Sequence, residues 1–227
     1  MKTFVYAGIA LVAGIIGFGI YRFAIEPQIQ NSVDAAANPQ FEQTTAAPTT
    51  ESQPESTPEL LPEFTLADRE GEARSIHSWP GKALVINFWA TWCGPCRREI
   101  PLLKRIQDEY ESENFQVVGI AVDFRDDVLE YAEEIGIDYP LLIGEQDGLE
   151  AIAKFGISAA GFPFTVFTDT QSRIVLTHLG EIDEAEAKIL LGAVKQVNAG
   201  ELSPEAARTV VAKQLAELEH PHETAAL

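Results

Sequence analysis

The 227-residue chain holds two cysteines, one methionine, four histidines and three tryptophans, and sets 16 lysines and arginines against 35 aspartates and glutamates. Each scarcity excludes something. A formal net charge of −19 repels phosphate backbones and anionic lipid surfaces, so nucleic acid is not an expected partner. The one methionine is Met1, which leaves no thioether in the body of the chain for a soft-metal site. Cys93 and Cys96 supply only half of the about four ligands a structural zinc site takes. His77, His178, His220 and His222 are scattered along the chain, the last two in a polar tail. No metal and no cofactor is expected on this count. As a staple the pair would be poor too, because closing so short a loop constrains the unfolded chain very little. What remains is a redox dithiol. The absence of further thiols suits an oxidising compartment, where stray ones are a liability.

The neighbourhood of the cysteines favours that chemistry. Residues 84–89 form an apolar run that reads as a fully buried strand, and the polar-studded run after Cys96 reads as a helix. The pair therefore falls where a strand hands over to a helix. A helix start presents unpaired N–H groups and the positive end of the macrodipole, so a thiolate there is stabilised and becomes a nucleophile near neutral pH. Cys93 is expected exposed at the helix entrance, and Cys96 one turn further in and more buried. Gly94 and Pro95 between them fit the first turn, where proline needs no N–H. Arg97 and Arg98 are candidates to favour the Cys93 thiolate further, although solvated surface arginines are the plainer reading.

Residues 3–21 carry no charge over 19 positions and are mostly Ala, Val, Ile, Leu, Gly and Phe. That is close to the about 20 residues a helix needs to cross a bilayer. A cleaved signal has a shorter apolar core with a small-residue site just behind it, whereas Tyr21-Arg22-Phe23-Ala24 follows here. Residues 1–26 are thus expected to be a retained signal anchor, with a cleaved signal as the alternative. Residues 27–62, rich in Pro, Thr, Gln, Ser and Glu, read as a disordered linker. A globular domain spans 63–200, and 201–227 forms a helical extension and tail.

Within the domain the pattern predicts a hairpin around Asp68-Arg69-Glu70-Gly71, the strand 84–89 and a helix over 95–111. A second buried strand follows at 116–122, a helix at 126–135, and a short strand at 139–143. A brief helix is capped by Asp147 and stopped by Gly156, and strands at 164–168 and 173–179 are joined by a tight turn. A helix at 183–197 closes the domain. Ser203 caps and Pro204 opens a last helix, which packs on the domain or, alternatively, binds a partner.

Residues 87–101, NFWATWCGPCRREIP, resemble the active-site signature of the thioredoxin superfamily, and in particular its membrane-anchored, extracytoplasmic TlpA-like branch. The resemblance covers about residues 62–197. It implies a thioredoxin fold, α/β, with a central mixed sheet flanked by helices and an N-terminal hairpin extension. The strand–helix alternation just read fits that order. It further implies a thiol-disulfide oxidoreductase acting on disulfide-containing proteins, with cytochrome c maturation among the branch's roles. An anchored reductase of this kind needs a membrane electron donor.

Residue by residue, the resemblance assigns Cys93 as the attacking and Cys96 as the resolving thiol, with Trp92, Gly94 and Pro95 completing the signature. Pro163 falls at the family's cis-proline position, although a trans proline at a strand start is commoner in general. Phe162 before it would pair its backbone with a bound peptide. Where many thioredoxins have a buried Asp six residues before the first cysteine, this chain has Asn87, which takes no proton. Asp123 at the end of the second buried strand is the candidate acid, its alternative being an ordinary turn Asp. Phe164 stands where cytochrome c maturation reductases often show an acid. Gly-Pro between the cysteines favours reduction over oxidation, but potential depends on both thiols. A dithiol oxidant and a copper-delivery module on the same fold, with His178 as a ligand, are the competing readings.

Overall fold

The structure is a computed structural model that describes residues 59–157 and 161–219. The apolar run at 3–21 lies outside them. Among the described residues no helix is long and apolar enough to cross a membrane.

Two strands carry the core. β3 (Ala83–Trp89) and β4 (Phe115–Ala121), numbered after the short hairpin strands β1 (Thr65–Ala67) and β2 (Ala73–Ser75), are buried at every position. They pair in parallel. Both faces of such strands are covered, which is why they read as continuous apolar runs rather than alternating ones. Alternation decides which core each residue joins. Ala83, Val85 and Trp89 point to one layer, and Leu84, Ile86 and Phe88 to the other. The remaining elements are α1 (Gly94–Tyr110), α2 (Arg125–Glu134), β5 (Leu141–Ile143), α3 (Gln146–Ala153), β6 (Phe164–Thr168), β7 (Ile174–Leu179), α4 (Glu184–Asn198) and α5 (Pro204–Glu219). The seven strands lie in the order β2-β1-β5-β4-β3-β6-β7. β3, β4 and β5 run parallel, and β6 and β7 antiparallel to their neighbours.

Local chemistry explains the boundaries. Asp183 accepts the backbone N–H groups of Ala185 and Glu186 while the Glu186 carboxylate accepts that of Asp183, a reciprocal cap that fixes the start of α4. Ser203 caps α5 through Ala206 N, as its position before Pro204 predicts. Asp147 is not the cap of α3: Glu145 holds that place and Asp147 lies in the first turn, its Oδ1 accepting Gly148 N. An acid is as welcome in a first turn as at the cap itself, so the two cannot be separated from sequence alone.

α5 packs on α4 and β7. Its Arg208 donates to the carbonyls of Ile174 and Val175, covering the outer edge of β7. At the start of the same strand Leu60 bridges to Arg173, and Ile174 N donates to Glu59 O. Ordered structure therefore begins by Glu59, inside the stretch whose composition reads as linker, and Leu61 is buried there.

Gly119 in β4 leaves room for the aromatic packing beneath the site. A methyl group on it would stand 2.6 Å from Leu141 Cδ2, 3.0 Å from Tyr139 Cε2 and 3.2 Å from Trp89 Nε1. Tyr139 and Trp89 are fully enclosed, so they cannot swing aside. Gly119→Ala is expected to destabilise the domain by about 1–3 kcal/mol, the cost of overpacking a close-packed core. A denaturant midpoint that does not move would show that the core yields at this point.

Candidate active site

Cys93 is the N-cap of α1 and Cys96 lies in its first turn, with Pro95 between them at the helix start. The two are joined as a disulfide with Cα atoms 5.3 Å apart. Cys93 Sγ accepts the backbone N–H of Cys96 at 3.2 Å, and the first turn of α1 holds no acidic side chain. A sulfur in this place meets a backbone donor and the positive end of a 17-residue helix without a neighbouring like charge. The expectation that Cys93 is exposed is corrected: it is 4% exposed and Cys96 is fully buried. The reason is the same contact, which turns the Cys93 side chain inward onto the helix end.

Around the disulfide, Trp92 is 69% exposed, and its ring stands edge-on to that of half-buried Phe162, centroids 5.8 Å apart. The Phe162–Pro163 peptide is cis and Pro163 is buried. Gly180 N donates to the Pro163 carbonyl, which ties this loop to the end of β7. Gly94 is exposed and its Cβ direction meets only the end of the Arg98 side chain.

The arginines are engaged elsewhere. Arg98 forms an exposed two-pronged pair with Glu181, and Arg97 lies over the Tyr131 ring, 5.1 Å from its centroid. Asp123, the candidate acid, bonds as a turn aspartate does. One carboxylate oxygen accepts from Thr91 N at 3.0 Å and Thr91 Oγ1 at 2.5 Å, and the other from Phe124 N. It latches the loop before Cys93 to the end of β4.

The buried acid is Glu99, which sequence reasoning missed. It lies three residues after Cys96 in α1, on the face that also buries Ile100, Leu103 and Ile106. Residues so spaced are helix neighbours, their Cβ atoms about 5–6 Å apart. One Glu99 oxygen accepts Asn87 Nδ2 at 2.6 Å, and the other accepts Ile182 N at 3.0 Å. Burial pushes its carboxyl up to about 7, the two hydrogen bonds opposing and the nearby Glu181 charge adding to the rise. Asn87 Nδ2 also donates to Thr165 Oγ1 at 3.0 Å, and its buried Oδ1 has no partner. When Glu99 is protonated its O–H needs an acceptor, and a half-turn of the Asn87 amide supplies Oδ1. The readable signal was an acid inside the apolar stripe of α1. Its partners, 12 residues before and 83 after it, were not readable.

A helix-capping sulfur, a buried partner cysteine, a buried acid three residues further along the same helix and a cis-proline loop on the neighbouring strand define a class, the thioredoxin-fold thiol-disulfide oxidoreductases. Residues 58–180 match the AhpC/TSA family, and the chain belongs to it. It is 27% identical over 135 residues to the thiol-disulfide oxidoreductase ResA of Geobacillus thermodenitrificans, covering 59% of this chain and 75% of that one. To the thioredoxin-like protein YneN of Bacillus subtilis it is 30% identical over 131 residues, 55% of this chain and 72% of the other. The crystal structure of a thioredoxin-family thiol:disulfide interchange protein from Chlorobium tepidum superposes with a TM-score of 0.51 at 31% identity, over 57% of this chain and 91% of that one. The protein is a thiol-disulfide oxidoreductase, and its dithiol is Cys93 with Cys96.

Proposed function

We propose that the protein reduces disulfides of extracytoplasmic proteins, cytochrome c maturation among the processes it would serve. A membrane electron donor would return its dithiol to the reduced state. The observation that carries this reading is the Cys93 sulfur at the helix cap, accepting a backbone N–H in a turn without acids. That arrangement keeps Cys93 ionised and nucleophilic near neutral pH, ready to attack a substrate disulfide, while Gly94-Pro95 between the cysteines is what favours reduction and the potential of the pair sets the net direction.

The Cys93 thiolate attacks a substrate sulfur, a new S–S bond forms, and the other substrate sulfur leaves as a thiolate. Cys96 loses its proton and attacks Cys93 Sγ. The second substrate thiolate departs, and the dithiol has given up two electrons. Glu99, rather than Asp123, is the group we assign to receive the Cys96 proton, because Asp123 is occupied by Thr91 while Glu99 neighbours Cys96 in the interior. Trp92, Phe162 and Pro163 form the surface on which the substrate lies. The apolar run at 3–21 would anchor the chain, and the acidic, proline-rich stretch after it would hold the domain clear of the bilayer.

The test is a redox titration of the full-length chain against thiol buffers. A potential near or below about −200 mV, in the range of reducing thioredoxins and glutaredoxins, supports reduction. One near about −120 mV, the range of strong dithiol oxidants, reverses the direction.

A further inference from the structure

An apolar row crosses the end of the sheet on which the dithiol sits. β4, β3, β6 and β7 are successive strands. β3 and β4 are parallel, so their carboxyl ends share one edge of the sheet. β6 is antiparallel to β3, and β7 to β6, so the start of β6 and the end of β7 reach that same edge. Each strand delivers one large apolar side chain there: Phe124 after β4, Trp92 after β3, Phe162 before β6 and Leu179 closing β7. Phe124 is 62% exposed, Leu179 64% and Trp92 69%. Three of the six large apolar side chains exposed among the described residues thus stand at one edge. Single exposed apolar residues need no explanation, but several gathered at the edge that carries the dithiol, two of them with rings 5.8 Å apart, do.

The row is built to hold its place. Asp123 binds Thr91 N and Oγ1 and thereby ties the segment that carries Phe124 to the loop that carries Trp92. Leu179 pairs with Phe164, and Gly180 N holds the Pro163 carbonyl, which ties the Leu179 end of β7 to the loop that carries Phe162. Cys93 lies inside the row, one strand from Phe124 and two from Leu179. Four strands about 4.8 Å apart make the row about 14 Å long, or about four residues of extended chain.

We infer that Phe124 and Leu179 select the substrate. The partner is a protein whose disulfide lies in an extended, accessible segment with a bulky apolar side chain on each side of the attacked cysteine. The inference rests on the dithiol reading above, since the row is continuous with the surface any attacked disulfide must touch. Burial of apolar side chains against Phe124 on one flank and Leu179 on the other favours such a segment over a polar one.

The experiment uses the reduced full-length protein and two synthetic peptides, each carrying one cysteine in a disulfide with glutathione. In one the cysteine is flanked by Phe and Leu, and in the other by Ser on both sides. Single-turnover rate constants give a preference ratio, expected to be about tenfold or more for the apolar peptide. Phe124→Ser combined with Leu179→Ser should bring the ratio to within about twofold of unity, each single change lowering it part of the way. Leu218→Ser, on α5, should leave the ratio as it is. Equal rates for both peptides with the wild-type chain overturn the docking inference alone, as does a preference that survives the double substitution. Failure to reduce either peptide overturns the dithiol reading beneath it.

Discussion

Cys96→Ala stops turnover and leaves the protein joined to its substrates. The first thiol-disulfide step needs only Cys93, whose stabilisation by the helix cap does not depend on the Cys96 side chain, since the N–H it accepts is a backbone group. The second step needs Cys96 itself, and no other cysteine exists in the chain to replace it. Steady-state reduction should fall by roughly a thousandfold or more, the scale on which loss of a covalent participant is felt. Mixed disulfides to Cys93 should accumulate and be visible on a non-reducing gel. Cys93→Ala should lose activity without trapping. Adducts held by Cys96 in that variant would reverse the order of attack assigned here.

Glu99→Gln has the second largest expected effect, and it acts on two observables with opposite signs. In the wild type the carboxyl is poised at about 7 by burial. As a base it works only when ionised, so the decay of the mixed disulfide should speed up as pH rises from 6 to 8. The glutamine variant should lose that rise and resolve the mixed disulfide about 10²–10⁴ times more slowly, the usual size of a general-base contribution. Stability runs the other way. The folded-state value of about 7 lies above the ordinary 4.5, so between those values the folded chain holds a proton that the unfolded chain has lost. This stabilisation is complete below about 4.5 and gone above about 7, roughly 3 kcal/mol in all. Wild type should therefore be less stable at pH 8 than at pH 5 by up to this amount on account of Glu99, and Glu99→Gln should remove that part of the slope. Rapid-quench decay of the mixed disulfide and urea midpoints, both from pH 5 to 9, measure the two effects. A variant that keeps both wild-type profiles would return the proton to another group.

What could be read from the chain alone follows from the range of the forces involved. The buried strands β3 and β4, the dithiol at a strand-helix junction, and the Ser203 cap are local signals, each complete within a few residues. The cis bond before Pro163 was inferred from the signature and is present. What escaped was set by distant contacts. Glu99 depends on Ile182 and Asn87 for its hydrogen bonds. Asp123 was open between a proton acceptor and a turn aspartate, and its contact with Thr91, 32 residues away, could not be read from its neighbours in sequence. Cys93 was expected exposed because it stands at the helix entrance, whereas the capping contact tucks it in.

The arrangement along β7 has a consequence for a molecule of this trade. A catalyst of disulfide exchange continually meets unravelled chains with free hydrogen-bonding groups, and an open border strand would recruit them into its own sheet. Arg208 and the segment around Leu60 occupy that border. At the opposite margin the outermost strand is only three residues long. Extended chains are thereby kept off both flanks of the sheet, and the surface left open is the one beside the sulfur.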